Sequence, residues 1–295
     1  MVVCKSGFVV IWKSLDLFTG GENGMDIERA RLKQAKKIVV KVGTSTLTYE
    51  NGKVNFSRID KLARVLSDLL NQDKQVVLVT SGAIGVGSGK MKLKVKPGSV
   101  QEKQAAAAVG QCELMHIYSK FFSEYGHTVG QILLTRDVIE EAHTRHNVVN
   151  TFETLMRYGI VPVVNENDSV SIDEIEYGEK RVFGDNDTLS AIVAALVDAD
   201  LLIILSDIDG FYDHDPRKNS DSHLISIVRE ITPELEKCAG GAGSRRGTGG
   251  MVTKLSAAKL ALTNKIDMVL ASGAEPGIIM DITEGQEAGT LFTAH

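Results

Sequence analysis

The sequence predicts an α/β protein, a three-layer α/β/α sandwich around a central, mainly parallel sheet. Three observations carry this reading. The runs 37–42 (KIVVKV), 75–80 (QVVLVT), 160–165 (IVPVVN) and 201–205 (LLIIL) are nearly continuously apolar. Strands buried on both faces look like this, whereas strands with one wet face alternate. Segments of helical period separate the runs, as in a sheet covered by crossover helices. Small, polar and glycine residues recur directly after the strands, where ligands of such sheets bind.

The elements follow in order. Residues 1–24 end in the turn-rich stretch TGGENG and read as a poorly ordered N-terminal appendage, with Met25 as an alternative start. The first strand, 37–42, runs into a tight turn at Gly43-Thr44-Ser45-Thr46. Ile59, Leu62, Ala63, Val65, Leu66, Leu69 and Leu70 then recur at helical spacing. Strand 75–80 ends at Ser81-Gly82. A long Ala-rich helix covers 102–125, a strand 129–134, a helix 137–158 and a strand 160–165. The polar loop 166–184 interrupts the rhythm. Helix 187–197, strand 201–205, helix 231–238, a glycine-rich loop, helix 252–262 and strand 268–271 complete the chain. No internal repeat or linker divides it, so residues 30–295 read as one domain.

Composition narrows the function classes. Lys and Arg number 33 against 38 Asp and Glu, a net charge of −5, which argues against general binding to nucleic acid or an anionic membrane. Aromatics are 5% of the chain, too few for a stacking platform for single strands. Cys4, Cys112 and Cys238 are scattered and odd in number, which fits a reducing, cytoplasmic setting rather than a disulfide or zinc framework. No apolar run reaches the roughly 20 residues of a membrane span.

Three segments carry chemistry. Residues 240–251 hold six glycines and two arginines and open directly into a helix. Backbone N–H groups there, with the positive end of the helix, suit an anion. Lys254 lies one turn further in. The same residues also suit a solvated surface loop. Lys41 sits inside an apolar strand just before a Gly-Thr-Ser turn; it is either paired with an anion or extends its head to solvent. Gly184-Asp185-Asn186-Asp187 precedes a helix. One helix cap needs one such residue, and a spare carboxylate could hold two lysines in place.

Standard motifs fail. G-x-x-x-x-G-K-[ST] is absent because Met91 follows Gly89-Lys90 and Ile84 stands where the first glycine belongs. G-x-G-x-x-G fails at Arg246 and Val252. The cluster Asp207, Asp209, Asp213, Asp215 is no calcium loop, since Tyr212 replaces its glycine and Lys218 its glutamate. The histidines form no ligand cluster.

On the segments VVKVGTSTL (39–47), VLVTSGAIGVG (77–87), AVGQ (108–111), GQILLTR (130–136), VPVVNENDSV (161–170), FGDNDTLSA (183–191), DIDGFYDHDPR (207–217), GTGGMVTK (247–254) and AGTLF (288–292), the chain resembles the amino acid kinase family, in its glutamate-phosphorylating branch. The segments run in order across 37–292. The resemblance implies the amino acid kinase fold and ATP-dependent phosphorylation of the γ-carboxylate of L-glutamate, the first step towards proline. It implies catalytic roles for Lys41, Asp187 and Lys254, with Asp187 orienting the lysines. It places Ser81, Asp168 and Asn186 on glutamate. Nucleotide contacts fall to Lys41, Ser206, Asp207, Thr248, Gly249, Gly250, Met251, Val252, Thr253 and Lys254. Mg²⁺ enters with ATP; no protein-bound metal is expected. The resemblance also implies proline as feedback inhibitor; a homo-oligomer and, because acyl phosphates hydrolyse readily, a glutamyl phosphate reductase partner are further expectations. Many members carry a C-terminal RNA-modification-type (PUA) domain, and this sequence ends at His295 before one fits.

The chemistry is consistent with this. A side-chain carboxylate has a solution pKa of about 4.3 and is ionised at neutral pH, so no general base is needed. The difficulty is bringing an anion to a polyanion, which two lysines and a magnesium ion relieve. Three alternatives stay open: another amino-acid or phosphate kinase of this fold, a non-catalytic nucleotide or amino-acid sensor, and one half of a bifunctional enzyme acting with a reductase partner.

Overall fold

A computed structural model describes residues 27–49, 53–135, 140–170, 186–214, 216, 219, 221–239 and 250–293. The appendage 1–24 and most of the polar loop lie outside these residues.

The described strands are β1 (Lys37–Val42), β2 (Gln75–Val79), β3 (Thr128–Leu134), β4 (Ile160–Glu166), β5 (Leu201–Ser206), β6 (Ile227–Val228), β7 (Asp267–Ser272) and β8 (Thr290–Phe292). They form one eight-stranded sheet in the order β3-β4-β2-β1-β5-β7-β8-β6. All neighbours are parallel except β7 and β8, which run antiparallel. From β1 the chain moves out to β2 and on to the edge strand β3, fills the gap between them with β4, then returns to β5 on the other side of β1. That reversal makes the carboxyl end of β1 the topological switch point.

Helices cover both faces: α1 (Ile27–Arg31), α2 (Thr44–Leu47), α3 (Phe56–Asn71), α4 (Ala83–Lys90), α5 (Val100–Glu124), α6 (Ala142–Arg157), α7 (Asn186–Leu196), α8 (Pro233–Ala239), α9 (Met251–Thr263) and α10 (Ile278–Thr283). Strand side chains alternate between two cores. Ile38, Val40 and Val42 join Leu62, Leu66 and Tyr118 from α3 and α5 in one. Val39, Val77 and Ile204 join Leu189, Val193 and Leu255 from α7 and α9 in the other.

Several elements differ from the sequence reading. The expected turn at 43–46 is the short helix α2. Of the helix expected over 137–158, α6 covers Ala142–Arg157, and residues 136–139 lie outside the described set. Helices α1, α4 and α10 and the short strands β6 and β8 had no clear sequence signal. Helix α4 (AIGVGSGK) holds three glycines, which disfavour helix. One of the three is demanded by packing: a Cβ on Gly87 would lie 1.8 Å from the Ala106 carbonyl oxygen, and, from the other side, one on Gly110 of α5 would lie 1.8 Å from that of Ala83. The backbones of α4 and α5 thus cross in direct contact.

Candidate active site

The carboxyl ends of β1, β2, β4 and β5 converge around the switch point. On β1, Lys41 is in register with Val79 on β2 and Ile204 on β5. Two residues after Val39, it points to the same face, the one covered by α7 and α9. The lysine is therefore aimed at the first turns of those two helices.

Asp187 stands in the first turn of α7, and Lys254 at the end of the first turn of α9. The Lys41 ammonium lies 2.6 Å from Asp187 Oδ1, and the Lys254 ammonium 3.0 Å from Oδ2. One carboxylate thus holds two cations, one on each oxygen. All three are buried: Asp187 is 1% exposed, Lys254 7% and Lys41 8%. Burial alone would raise the Asp187 carboxyl, but the two ammonium charges outweigh it and hold the group below the usual carboxylate range. The group carries two positive charges and one negative. That is one net positive charge in a buried place, a strong pull on an anion. Thr253 adds a hydroxyl 3.3 Å from Asp187 Oδ2 and donates to the Gly250 carbonyl at 2.8 Å.

A second, uncharged pole lies beside this one. Asn186, which precedes Asp187, donates from Nδ2 to the Thr80 carbonyl at 2.9 Å, to Ser81 Oγ at 2.7 Å and to Asn165 Oδ1 at 3.2 Å. Ser81 in turn donates to the Val42 carbonyl at 3.2 Å. Behind them, Asn165 donates to Gln111 Oε1 at 3.0 Å, and Thr80 pairs with the Tyr118 hydroxyl at 2.8 Å. Gly82, at φ 93°, makes the sharp turn from β2 into α4 that a residue with a side chain rarely adopts. Asp168 follows β4 by two residues and is half-buried, on the same end of the sheet.

Ser206 ends β5 and donates to Asp207 Oδ1 at 3.0 Å, with Asp207 exposed at the strand end. Gly250 caps α9, and Met251, Val252 and Thr253 form its first turn with Lys254. Thr248 and Gly249 lie outside the described residues. The structure therefore brings Lys41, Asp187 and Lys254 together, sets Ser81 and Asn186 in hydrogen bond, and leaves Ser206 and Asp207 at the next strand end. Sequence reasoning gave no role to Asn165 or Gln111. Asn165 closes an apolar run, which is a signal; Gln111 sits in an Ala-rich helix, where its one signal is the family-like segment AVGQ. Among the described residues, no group of three or more His, Cys, Asp and Glu is gathered to hold a metal. The most buried carboxylate here, Asp187, is already engaged by lysines.

The amino acid kinase family model matches residues 36–272. The chain belongs to the amino acid kinase family. Its similar relatives in the family include the glutamate 5-kinase of Clostridium perfringens (strain 13 / Type A), 65% identical over 90% of this chain and 98% of that one. The glutamate 5-kinase of Listeria innocua is 57% identical over 90% of this chain and 96% of its own. Among solved structures, the carbamate kinase from Giardia lamblia bound to AMP-PNP superposes with a TM-score of 0.63 over 89% of this chain and all of that one, at 15% identity. The isopentenyl phosphate kinase of T. acidophilum gives a TM-score of 0.59 at 19% identity, over 87% of this chain and 99% of that one. At such identities these two share the amino acid kinase fold alone. Among the described residues, no helix is long and apolar enough to cross a membrane.

Proposed function

We propose that the chain transfers the γ-phosphoryl group of ATP to the γ-carboxylate of L-glutamate, releasing ADP and γ-glutamyl phosphate. The name shared by its similar relatives supports the substrate. The observation that carries the chemistry is the single carboxylate of Asp187 holding both Lys41 and Lys254.

Phosphoryl transfer asks for positioning and charge neutralisation more than for covalent work by the protein. A glutamate oxygen attacks the γ-phosphorus, and the bond to the β,γ-bridging oxygen of ATP breaks. Negative charge spreads over the migrating group and gathers on the leaving diphosphate. Lys41, on a strand end, and Lys254, on a helix start, meet that charge from two sides. Asp187 keeps the two ammonium groups apart and aligned before substrate arrives, so little reorganisation is needed during the step. Magnesium enters as the counter-ion of the nucleotide and supplies further neutralisation of its phosphates. The first turn of α9, Gly250 to Lys254, and the upstream Thr248 and Gly249 wrap the phosphates, while Ser206 and Asp207 lie by the nucleotide. Ser81, Asn186 and Asp168 receive glutamate, with the Asp168 carboxylate suited to its ammonium group.

The reading brings three expectations: proline as a feedback inhibitor, self-assembly of the chain, and a glutamyl phosphate reductase that consumes the product in the cytoplasm. Acyl phosphates hydrolyse readily, which gives the third its reason. The decisive experiment is ADP release by the purified chain with ATP and magnesium, with hydroxylamine present to trap an acyl phosphate. Glutamate is expected to give both ADP and hydroxamate. Carbamate, UMP and isopentenyl phosphate serve as competing acceptors, and faster turnover with any of them would overturn the assignment.

A further inference from the structure

Gln111 is 8% exposed, on the face of α5 that packs against the substrate end of the sheet. Its two ends differ. Oε1 accepts from Asn165 Nδ2 at 3.0 Å, whereas Nε2 is buried without a hydrogen-bond partner among the described residues. A buried unpaired amide nitrogen is a cost that an apolar side chain of the same shape would avoid. What Gln111 gives in return is its acceptor.

That acceptor ends a chain of bonds whose direction starts at Thr80. The Thr80 carbonyl can only accept, so the Asn186 amide must turn its NH₂ towards it, at 2.9 Å. The same NH₂ faces Asn165 at 3.2 Å, so Asn165 must show it an oxygen. Asn165 then has its own NH₂ on the far side, towards Gln111, which must present Oε1. Three amides are locked head to tail. Both hydrogens of Asn186 Nδ2 are committed inside this chain of bonds and to Ser81 Oγ. The group that Asn186 has left for a ligand is its carbonyl oxygen, which recognises an ammonium and repels a carboxylate.

We infer that Gln111 is a positioning residue for the amino-acid substrate. Acting through Asn165, it keeps an oxygen turned to the Asn186 NH₂ and so holds in place the polarity that the Thr80 carbonyl imposes, with the Asn186 oxygen left to meet the α-ammonium group of glutamate. This rests on the functional reading above and names which part of glutamate Asn186 takes. Without an acceptor at 111, Asn165 can turn its amide over, place NH₂ against NH₂, and push the Asn186 amide from its place against Thr80 and Ser81, which displaces the oxygen that meets the substrate ammonium.

The test compares Gln111→Met, Gln111→Leu and Gln111→Glu in the full chain. Met and Leu remove the acceptor, while Glu keeps one in either protonation state. KM for L-glutamate, KM for ATP, kcat and the thermal midpoint are measured, and L-2-hydroxyglutarate, with a hydroxyl for the ammonium, serves as a second acceptor. Gln111→Met and Gln111→Leu are expected to raise KM for glutamate about tenfold, the scale of one hydrogen bond to a charged group, with KM for ATP within about twofold. The preference for glutamate over 2-hydroxyglutarate narrows in both, and Gln111→Glu restores most of each effect. Unchanged glutamate KM in a Met or Leu variant, or an equal loss in all three at an unchanged thermal midpoint, overturns the inference. Those outcomes leave an active wild type. A wild-type chain idle with glutamate would instead overturn the functional reading itself.

Discussion

The Lys254 ammonium donates to Asp187 Oδ2 across 3.0 Å, joining the first turns of two helices whose residues lie 67 positions apart in the chain. With Lys41 on the other oxygen, this bond gathers a strand end and two helix starts around one carboxylate. The cluster is both a structural joint and a source of positive potential, so the two roles can be probed separately.

Removing the carboxylate tests the joint. Asp187→Ala leaves two buried ammonium groups facing each other without a counter-charge. Breaking a buried charge cluster by deleting one partner costs about 3–5 kcal/mol. Urea unfolding of the variant is expected to show a loss of that order, and a loss below about 1 kcal/mol would mean the lysines escape to solvent.

The same carboxylate sets a pH dependence. Its folded pKa lies below the ordinary value, so the native state binds fewer protons there than the unfolded chain. The stabilisation is complete above the ordinary carboxyl pKa of about 3.9 and is lost as pH falls through the lower folded value. The stability gap between wild type and Asp187→Asn should hold steady from neutral pH down to about 4 and then close. A gap that closes with rising pH would reverse the sign.

Asp168 tests the substrate pole. Asp168→Ala is expected to raise KM for glutamate by tenfold or more, about the worth of a charged hydrogen bond, with KM for ATP little changed. A rise in KM for ATP alone would move Asp168 to the nucleotide.

The α4–α5 crossing gives a prediction about packing. Gly110→Ala puts a methyl group where the Ala83 carbonyl oxygen stands, so backbone must move. Overpacking of this kind costs about 1–3 kcal/mol, and here it also displaces the β2–α4 turn and the neighbouring Gln111. The thermal midpoint should drop and KM for glutamate rise together. A change in one without the other would uncouple the crossing from the site.

The legible part of the fold was its parallel centre, because β1, β2, β4 and β5 are apolar on both faces and no other element gives such runs. Helix α4 was illegible because its glycines read as loop; the tertiary contact with Ala106 explains Gly87. Strands β6 and β8, of two and three residues, are too short for any period. In the site, Lys41 was conspicuous as a charge inside an apolar strand, and Lys254 as a charge behind a glycine-rich loop. That both reach Asp187 depends on α7 and α9 lying side by side, which local pattern does not state. Gln111 stood in the family-like segment AVGQ but received no role, because a polar residue in an Ala-rich helix reads as a wetted face; its burial and its bond to Asn165 are tertiary.

The central claim is that Lys41 and Lys254 serve one migrating phosphoryl group. A double-mutant cycle of Lys41→Ala, Lys254→Ala and the pair measures this directly through kcat. Each single variant is expected to lose about 10²-fold or more, and the pair little beyond the worse single, because groups acting as a unit are not additive. Losses that multiply in the double variant would show two independent sites and contradict the account.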